Sequence, residues 1–395
     1  MEHLRNARSK PADPRDVGGA AVTDVTARHR GQIDSLRGIG ITTVVLAHCV
    51  PDYYLGRFSL TTEMGMSAVY MFFVLGAFLI TSQLLTTAER RTMARDTLKK
   101  PLLGFYSRRA FRLLPPLYLG LFVAAALNLP YIRHELPWHA LFGTNLYYAL
   151  YPHAPQTSSA GHLWSLIVQE QFYLIWPLFI FLLPRRLLGW AFGSVMLIGA
   201  YAWIPGNAIP SVVIAAAGIA YLYSLAIGGL AALAQSHGID LRRFNWLAIP
   251  LLVLLLFADM VQVRAGEIPS GYAALIAHLC RTALLVLLVV NVSRGLHGRA
   301  GALFGAPGLQ YIGRISYGIY VYHLFILAIV VKTLTNLGFA GLTAYKLLIF
   351  ALVYSATLAA ASISWRWMET PINRYRERFQ YRPIRTSNQR SGTIV

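Results

Sequence analysis

Charge is scarce in this chain of 395 residues: 13% of positions are charged, about half the usual share of a soluble domain. Acid is scarcer than base, with 16 Asp and Glu against 35 Lys and Arg. Cysteine is nearly missing. Cys49 and Cys280 stand far apart without CxxC or His/Cys ligand spacing, which excludes a disulfide framework and gives no sign of a zinc site or other metal centre. Cys49 follows His48 directly, but adjacent helical positions diverge by about 100°, which argues against a Cys–His nucleophile pair. No secretory signal is expected, because residues 1–30 are polar and basic with no apolar core. What the chain has in abundance is apolar surface, at 56% hydrophobic residues and a mean hydropathy of +0.51, too much for a soluble protein of this length.

The expectation is therefore an all-α, polytopic membrane helix bundle. Apolar runs of roughly 17 to 25 residues place about ten transmembrane helices near 36–56, 64–85, 112–129, 163–183, 187–204, 211–234, 246–262, 272–292, 315–334 and 342–365. Residues 1–30 read as a flexible basic arm, 31–372 as one membrane domain and 373–395 as a basic tail lying on membrane lipids or staying disordered. With the N-terminus inside, every Lys and Arg falls on the inner side except Arg57, Arg133, Arg264, Arg281, Lys332 and Lys346. The positive-inside rule then puts both termini in the cytoplasm, with an even number of spans in the cytoplasmic (inner) membrane. The net charge of +19 is accounted for by orientation, so no nucleic-acid partner is expected.

Against that apolar background, ionisable residues inside spans stand out, since each costs roughly 2.5 to 3.5 kcal/mol on insertion scales and marks function or a cavity. Asp34, Arg37 and His48 share one face of the first span. Eleven positions make three turns plus about 20°, and fourteen fall about 40° short of four turns. The fourth span opens Gly161-His162-Leu163-Trp164-Ser165 and continues to Gln169-Glu170-Gln171-Phe172-Tyr173. At 1.5 Å per residue Glu170 lies about 12 Å below His162, and His48 about 16 Å above Arg37, so His48 and Glu170 are expected as mid-membrane neighbours. In the ninth span Ser316, Tyr320 and His323 recur at helical spacing, either as an interhelical seam or as a substrate-lining stripe. Glu369, near the inner end of the tenth, reads first as a salt-bridge partner or helix stop.

The loops carry two further patterns. Arg90, Arg91, Arg95, Lys99 and Lys100 suit a cytoplasmic anchor. Arg108, Arg109 and Arg112, interleaved with Phe105, Tyr106 and Phe111 at the mouth of the third span, suit bidentate grip of phosphates and stacking on a purine. On the other side, the segment from Pro130 to Gly161 holds Tyr131, Trp138, Tyr147, Tyr148 and Tyr151, either an interfacial aromatic belt or a surface for a sugar ring.

Taken in order, these runs resemble the acyltransferase-3 family of integral membrane O-acyltransferases. The resemblance rests on Asp34-Ser35-Leu36-Arg37-Gly38-Ile39 leading to His48, Phe72-Phe73-Val74-Leu75 with Phe78-Leu79-Ile80, and Phe105-Tyr106 with Arg108, Arg109 and Arg112. It continues through Leu163-Trp164-Ser165-Leu166 with Glu170-Gln171-Phe172-Tyr173-Leu174, Ser316-Tyr317 with Tyr320 and His323, and Glu369 with Pro371, covering nearly the whole chain. It implies a ten-helix domain that moves an acyl group from cytoplasmic acyl-CoA to a hydroxyl, usually on a carbohydrate, with Arg37 and His48 to be tested first. Two departures are visible: Gln169-Glu170 stands where the family commonly has two glutamates, and Gly76-Ala77 where it has Ser-Gly.

The reading that follows is O-acylation of a saccharide or glycosylated metabolite, with acetyl as the default group, acyl-CoA (acetyl-CoA) as co-substrate and no tightly bound cofactor. His48 is the expected general base, Asp34 or Glu170 its orienting partner, and Arg37 either stabilises charge at the thioester end or lines the donor tunnel. Arg108, Arg109 and Arg112 are the expected donor-binding residues, and Ser316, Tyr320, His323, Tyr173 and Trp164 the substrate lining. An acyl-His intermediate is a second route. A proton-coupled secondary transporter or lipid-linked sugar flippase relaying protons through His48, Glu170 and His323 is the alternative of another class, and a non-catalytic sensor that kept the fold is a third.

Overall fold

The computed structural model describes residues 14–50, 54–55, 58–151, 158–204, 206, 209, 218–264, 270–339, 345–376 and 379. These are helical almost throughout, with a two-residue antiparallel pair, β1 (Tyr54–Leu55) and β2 (Phe58–Ser59), between the first two helices. The helices are α1 (Pro14–Cys49), α2 (Leu60–Ala94), α3 (Lys99–Ala126), α4 (Ile132–Ala140), α5 (Thr144–Leu150), α6 (Leu163–Leu182), α7 (Arg185–Tyr201) and α8 (Ile219–Ser236). A 3₁₀ turn (Leu241–Leu247) leads into α9 (Ala248–Arg264), followed by α10 (Ser270–Arg294), α11 (Gly298–Phe304), α12 (Pro307–Arg314), α13 (Ser316–Asn336) and α14 (Lys346–Ser364). A π-helical turn (Trp365–Glu369) joins α14 to α15 (Thr370–Arg376). Asp240 caps the 3₁₀ turn, and the hydrogen bonds from Arg242 hold its carboxyl down at about 2.

Among the described residues, eight helices are long and apolar enough to cross a membrane, which makes this a multi-pass membrane protein. Two of the ten expected spans fall short of that measure. α1 carries Asp34, Arg37 and His48, which lower its hydropathy, and α7 has only 17 residues. Both are nonetheless built into the bundle, α1 against α2 and α12, and α7 against α8. Residues 14–30, expected as a flexible arm, continue α1 as helix, whereas the arm before Pro14 and most of the tail after Arg376 lie outside the described residues.

The core explains the first sequence block. Ser35 donates to the Phe304 carbonyl at 2.7 Å, and Gln32 exchanges two hydrogen bonds with the Leu296 main chain. At the crossing of α1 and α12 a Cβ on Gly313 would sit 1.7 Å from the Asp34 carbonyl oxygen, so only glycine permits the approach. The short helices α11 and α12 thereby clamp α1 and fix where Arg37 points. Around this clamp, Ile41, Val44 and Val45 of α1 pack with Leu117 and Leu121 of α3 and Ile319 and Val321 of α13. A second cluster forms around Trp176, whose indole donates to Thr81 at 2.7 Å.

The segment from Pro130 to Gly161 is more than a surface loop. α4 and α5 fold back between α3 and α6: Tyr118 of α3 donates to the Ala140 carbonyl, and Asn145 of α5 and Gln171 of α6 bond reciprocally at 2.9 and 3.1 Å. Glu135, fully buried, accepts from Ser158 and from His139 Nε2 at 3.1 Å, while His139 Nδ1 meets Thr144 Oγ1 at 2.7 Å. Trp138, Tyr147 and Tyr151 cluster beside this network.

Candidate active site

A cavity of about 860 Å³ opens at the end of the bundle where the basic residues gather. Its wall carries five guanidinium groups, from Arg37 of α1, Arg90 of α2 and Arg108, Arg109 and Arg112 of α3, against one carboxylate, Glu170 of α6. Arg108, Arg109 and Arg112 span just over one helical turn, and Pro115 and Pro116 follow at once. Proline cannot donate to the helical ladder, and in this stretch Tyr317 of α13 donates to the Leu113 carbonyl at 2.8 Å, tying α3 to α13 in the cavity wall.

The arginines are placed differently. Arg109 holds Glu170 through two hydrogen bonds, Nη2 to Oε1 at 2.6 Å and Nε to Oε2 at 3.2 Å, and lies 3.7 Å from the ring centroid of Tyr173. Arg37 pairs with Asp34 at 3.2 Å, and Arg108 donates to the Phe379 carbonyl at 2.7 Å. Gln169 donates to Tyr173 Oη at 2.5 Å and to the Phe72 carbonyl at 3.2 Å. A Cβ on Gly76 would lie 2.1 Å from Tyr173 Oη and 2.2 Å from Gln169 Nε2, so the missing side chain at 76 is what lets these two seat against α2.

Ser165 and Tyr320 also line the cavity. Tyr320 Oη lies 2.8 Å from Ser165 Oγ and donates to the His162 carbonyl. Behind Tyr320 come three imidazoles in edge contact. His162 and His323 have ring centroids 4.7 Å apart, and His323 and His48 5.1 Å. His323 is fully buried and His162 nearly so, whereas His48 is exposed.

Of the residues expected from sequence, Arg37, Arg108, Arg109, Arg112, Glu170, Tyr173, Ser316 and Tyr320 meet on this one wall. His48 and His323 stand next to each other behind it. Trp164 faces elsewhere, its ring 4.7 Å from that of Tyr221. Glu170 pairs with Arg109 at the cavity instead of standing beside His48. The count along the fourth span took His162 as the outer surface, but His162 touches His323 in the interior, so Glu170 lies a further 12 Å or so toward the basic end. Neither Asp34 nor Glu170 orients His48. The Val44 carbonyl does, at 2.8 Å from Nδ1.

Two contributors carried no sequence signal of this kind. His162 served only to mark a helix start and Arg90 read as an anchor, whereas Ser165 entered only as part of the Leu163-Trp164-Ser165-Leu166 run. Glu369 is buried and accepts from Ser364 at 3.2 Å, so its place is in the core beside α13. Cys49 is buried as well, among the α1 core residues.

Fold and site together define a multi-pass membrane protein with a cationic internal cavity backed by buried imidazoles. A family model described as an acyltransferase domain matches residues 30–366, and the chain belongs to that family, acyltransferase-3. Similar proteins include the peptidoglycan O-acetyltransferase OatA of Listeria monocytogenes, 25% identical over 381 residues that cover 89% of this chain and 57% of the relative. A putative O-acetyltransferase of Staphylococcus aureus is 25% identical over 93% of this chain and 60% of its own length, and the putative peptidoglycan O-acetyltransferase YrhL of Bacillus subtilis is 29% identical over 38% of this chain and 23% of its own. The chain thus spans about three-fifths of the length of the first two. No solved structure matches it.

Proposed function

We propose that this chain is a membrane O-acetyltransferase that moves an acetyl group from acetyl-CoA to a hydroxyl of a glycan, such as peptidoglycan or another cell-surface polysaccharide. The observation that carries the reading is the cavity wall, where five guanidiniums face a single carboxylate in a space the size of a small-molecule site. Guanidiniums bind phosphate oxygens bidentately, and the 3′-phosphoadenosine diphosphate of CoA offers three such groups. The relatives' names add the acetyl group and the carbohydrate acceptor. In this reading ten helices cross the cytoplasmic membrane, both termini and the basic end face the cytoplasm, and the donor enters there.

The chemistry follows from the arrangement. Arg108, Arg109 and Arg112 hold the phosphates, and the pantetheine arm runs past Arg37 toward Ser165 and Tyr320. A backbone carbonyl only accepts, so Val44 fixes the neutral His48 as the Nδ1–H tautomer and leaves the Nε2 lone pair free. That nitrogen takes the acceptor's hydroxyl proton as the oxygen attacks the thioester carbonyl. The C–O bond forms, the C–S bond breaks, and the thiolate of CoA is protonated. Proton transfer of this kind contributes about 10²- to 10⁴-fold.

The test is acetyl-CoA turnover by the full chain purified in nanodiscs, with chitooligosaccharide as acceptor, following free thiol and the mass of the glycan. Acceptor-dependent thiol release with a gain of one acetyl per product supports the reading. A well-folded protein that binds no acetyl-CoA and releases no thiol refutes it.

A further inference from the structure

The three imidazoles behind Tyr320 share a feature that the acyl-transfer reading does not require. Each has one nitrogen engaged by a main-chain carbonyl: His48 Nδ1 with Val44 at 2.8 Å, His323 Nδ1 with Tyr320 at 2.7 Å and His162 Nε2 with Val321 at 3.3 Å. Because a carbonyl cannot donate, each of these nitrogens carries the hydrogen, and the opposite nitrogen of every ring is a bare acceptor. In His323 that acceptor is Nε2 and in His162 it is Nδ1, and both are buried without a partner. Three rings in successive edge contact, each with a bare acceptor nitrogen and no free donor, are an unfinished hydrogen-bond network. One added proton turns one of these acceptors into a donor to its neighbour.

We infer that His323 and His162 are positioning residues that share the proton His48 takes from the acceptor hydroxyl, so that the three rings hold one proton between them until the thiolate reclaims it. The inference rests on the acyltransferase reading for the source of the proton, and on the geometry alone for the sharing. The balance is that of the transfer itself: the O–H bond breaks, the proton rests on the cluster as the C–O bond forms and the C–S bond breaks, and it leaves for sulfur. Burial makes a charge on any single ring costly, which spreading it over neighbouring rings offsets, and a buried acceptor left unpaired gains from accepting a hydrogen bond. The other titratable groups facing the rings are Tyr320 of α13, 5.2 Å from His162 and 5.7 Å from His323, and His139 of α4. Among the described residues no carboxylate lies within ion-pair distance of any of the three, so the added charge is shared among imidazoles and not quenched by an acid.

The experiment is nitrogen-15 NMR of the full chain in nanodiscs, labelled at histidine and titrated from about pH 5 to about pH 9, the range in which imidazoles change charge. Sharing requires the signals of His48, His162 and His323 to move together over one interval. In His323→Phe, which removes the acceptor, His48 should move separately, and in His323→Gln, whose amide oxygen accepts a hydrogen bond but cannot hold the proton, His48 should also move separately from His162. If His48 moves alone in the wild-type chain while the other two stay fixed, the inference is overturned. Turnover of acetyl-CoA is the second readout: His323→Phe should lose about tenfold or more in kcat with KM for acetyl-CoA unchanged, and His323→Gln should recover little of it. A folded His323→Phe protein with wild-type kcat also overturns the role. A wild-type chain with no turnover but coupled signals would remove the acyltransferase reading and leave the shared proton standing.

Discussion

Arg109 and Glu170 form a two-point ion pair, at 2.6 and 3.2 Å, in the wall of the cationic cavity. The pair is largely buried, with 21% and 13% of the two side chains exposed, and the Tyr173 ring lies against the guanidinium. Removing one member leaves the other charge unpaired, which for buried pairs costs about 3 to 5 kcal/mol, somewhat less where some water reaches. Glu170→Ala should therefore lower the thermal midpoint in detergent, and Arg109→Ala/Glu170→Ala should recover part of the loss. If the double variant is as unstable as the two single losses added together, the two residues are not coupled.

His48 is the exposed ring of the cluster and, in the proposed mechanism, the base. His48→Ala is expected to lose about 10²- to 10⁴-fold in acetyl transfer while binding acetyl-CoA normally, because the donor cavity does not include it. Isothermal titration with acetyl-CoA beside a turnover assay separates the two effects. Lost donor binding would place His48 in the donor site.

Gly76 makes room for Tyr173 and Gln169, since a Cβ at this position would lie 2.1 Å from the Tyr173 oxygen. Gly76→Ala should push Tyr173 off Arg109 and raise KM for acetyl-CoA several-fold, at an overpacking cost of about 1 to 3 kcal/mol. Removing the clashing oxygen in Gly76→Ala/Tyr173→Phe should relieve only part of it, because the 2.2 Å approach to Gln169 Nε2 remains. An unchanged KM in Gly76→Ala would mean that the tyrosine does not hold the arginine.

The fully buried Glu135 serves Ser158 and His139 at once. Glu135→Ala should release the α4–α5 hairpin, at about 3 kcal/mol for a broken buried network. Limited proteolysis between Pro130 and Gly161 is the measurement. Cutting at the wild-type rate would show that the hairpin is held by packing alone.

At the 3₁₀ turn, Arg242 depresses the Asp240 carboxyl to about 2, below the unfolded value near 3.9. A depressed acid stabilises the fold above its unfolded pKa and loses that contribution as pH falls through the folded one. The cap is therefore expected to be intact at pH 4 and above and to weaken only as pH falls toward 2. Carboxyl carbon-13 shifts of labelled aspartate report this directly, and a midpoint near 4 would count against the Arg242 pairing.

Composition alone settled that the chain lives in a membrane, because 56% hydrophobic residues cannot be buried in a soluble fold of this length. Spacing along single helices was equally legible: the three arginines of α3 stand together, and Asp34 meets Arg37, as helical geometry requires. What sequence order could not supply was relative depth between helices. Counting residues from an assumed surface placed Glu170 beside His48, whereas α6 begins inside the bundle and carries Glu170 down to Arg109. The fold-back of α4 and α5, the gathering of His162 with His323 and His48, and the fit of Gly76 to Tyr173 likewise join residues distant in the chain. Local periodicity is written in a few consecutive residues, but contacts between distant helices depend on how whole helices are offset along their axes, and packing and close approach set that offset.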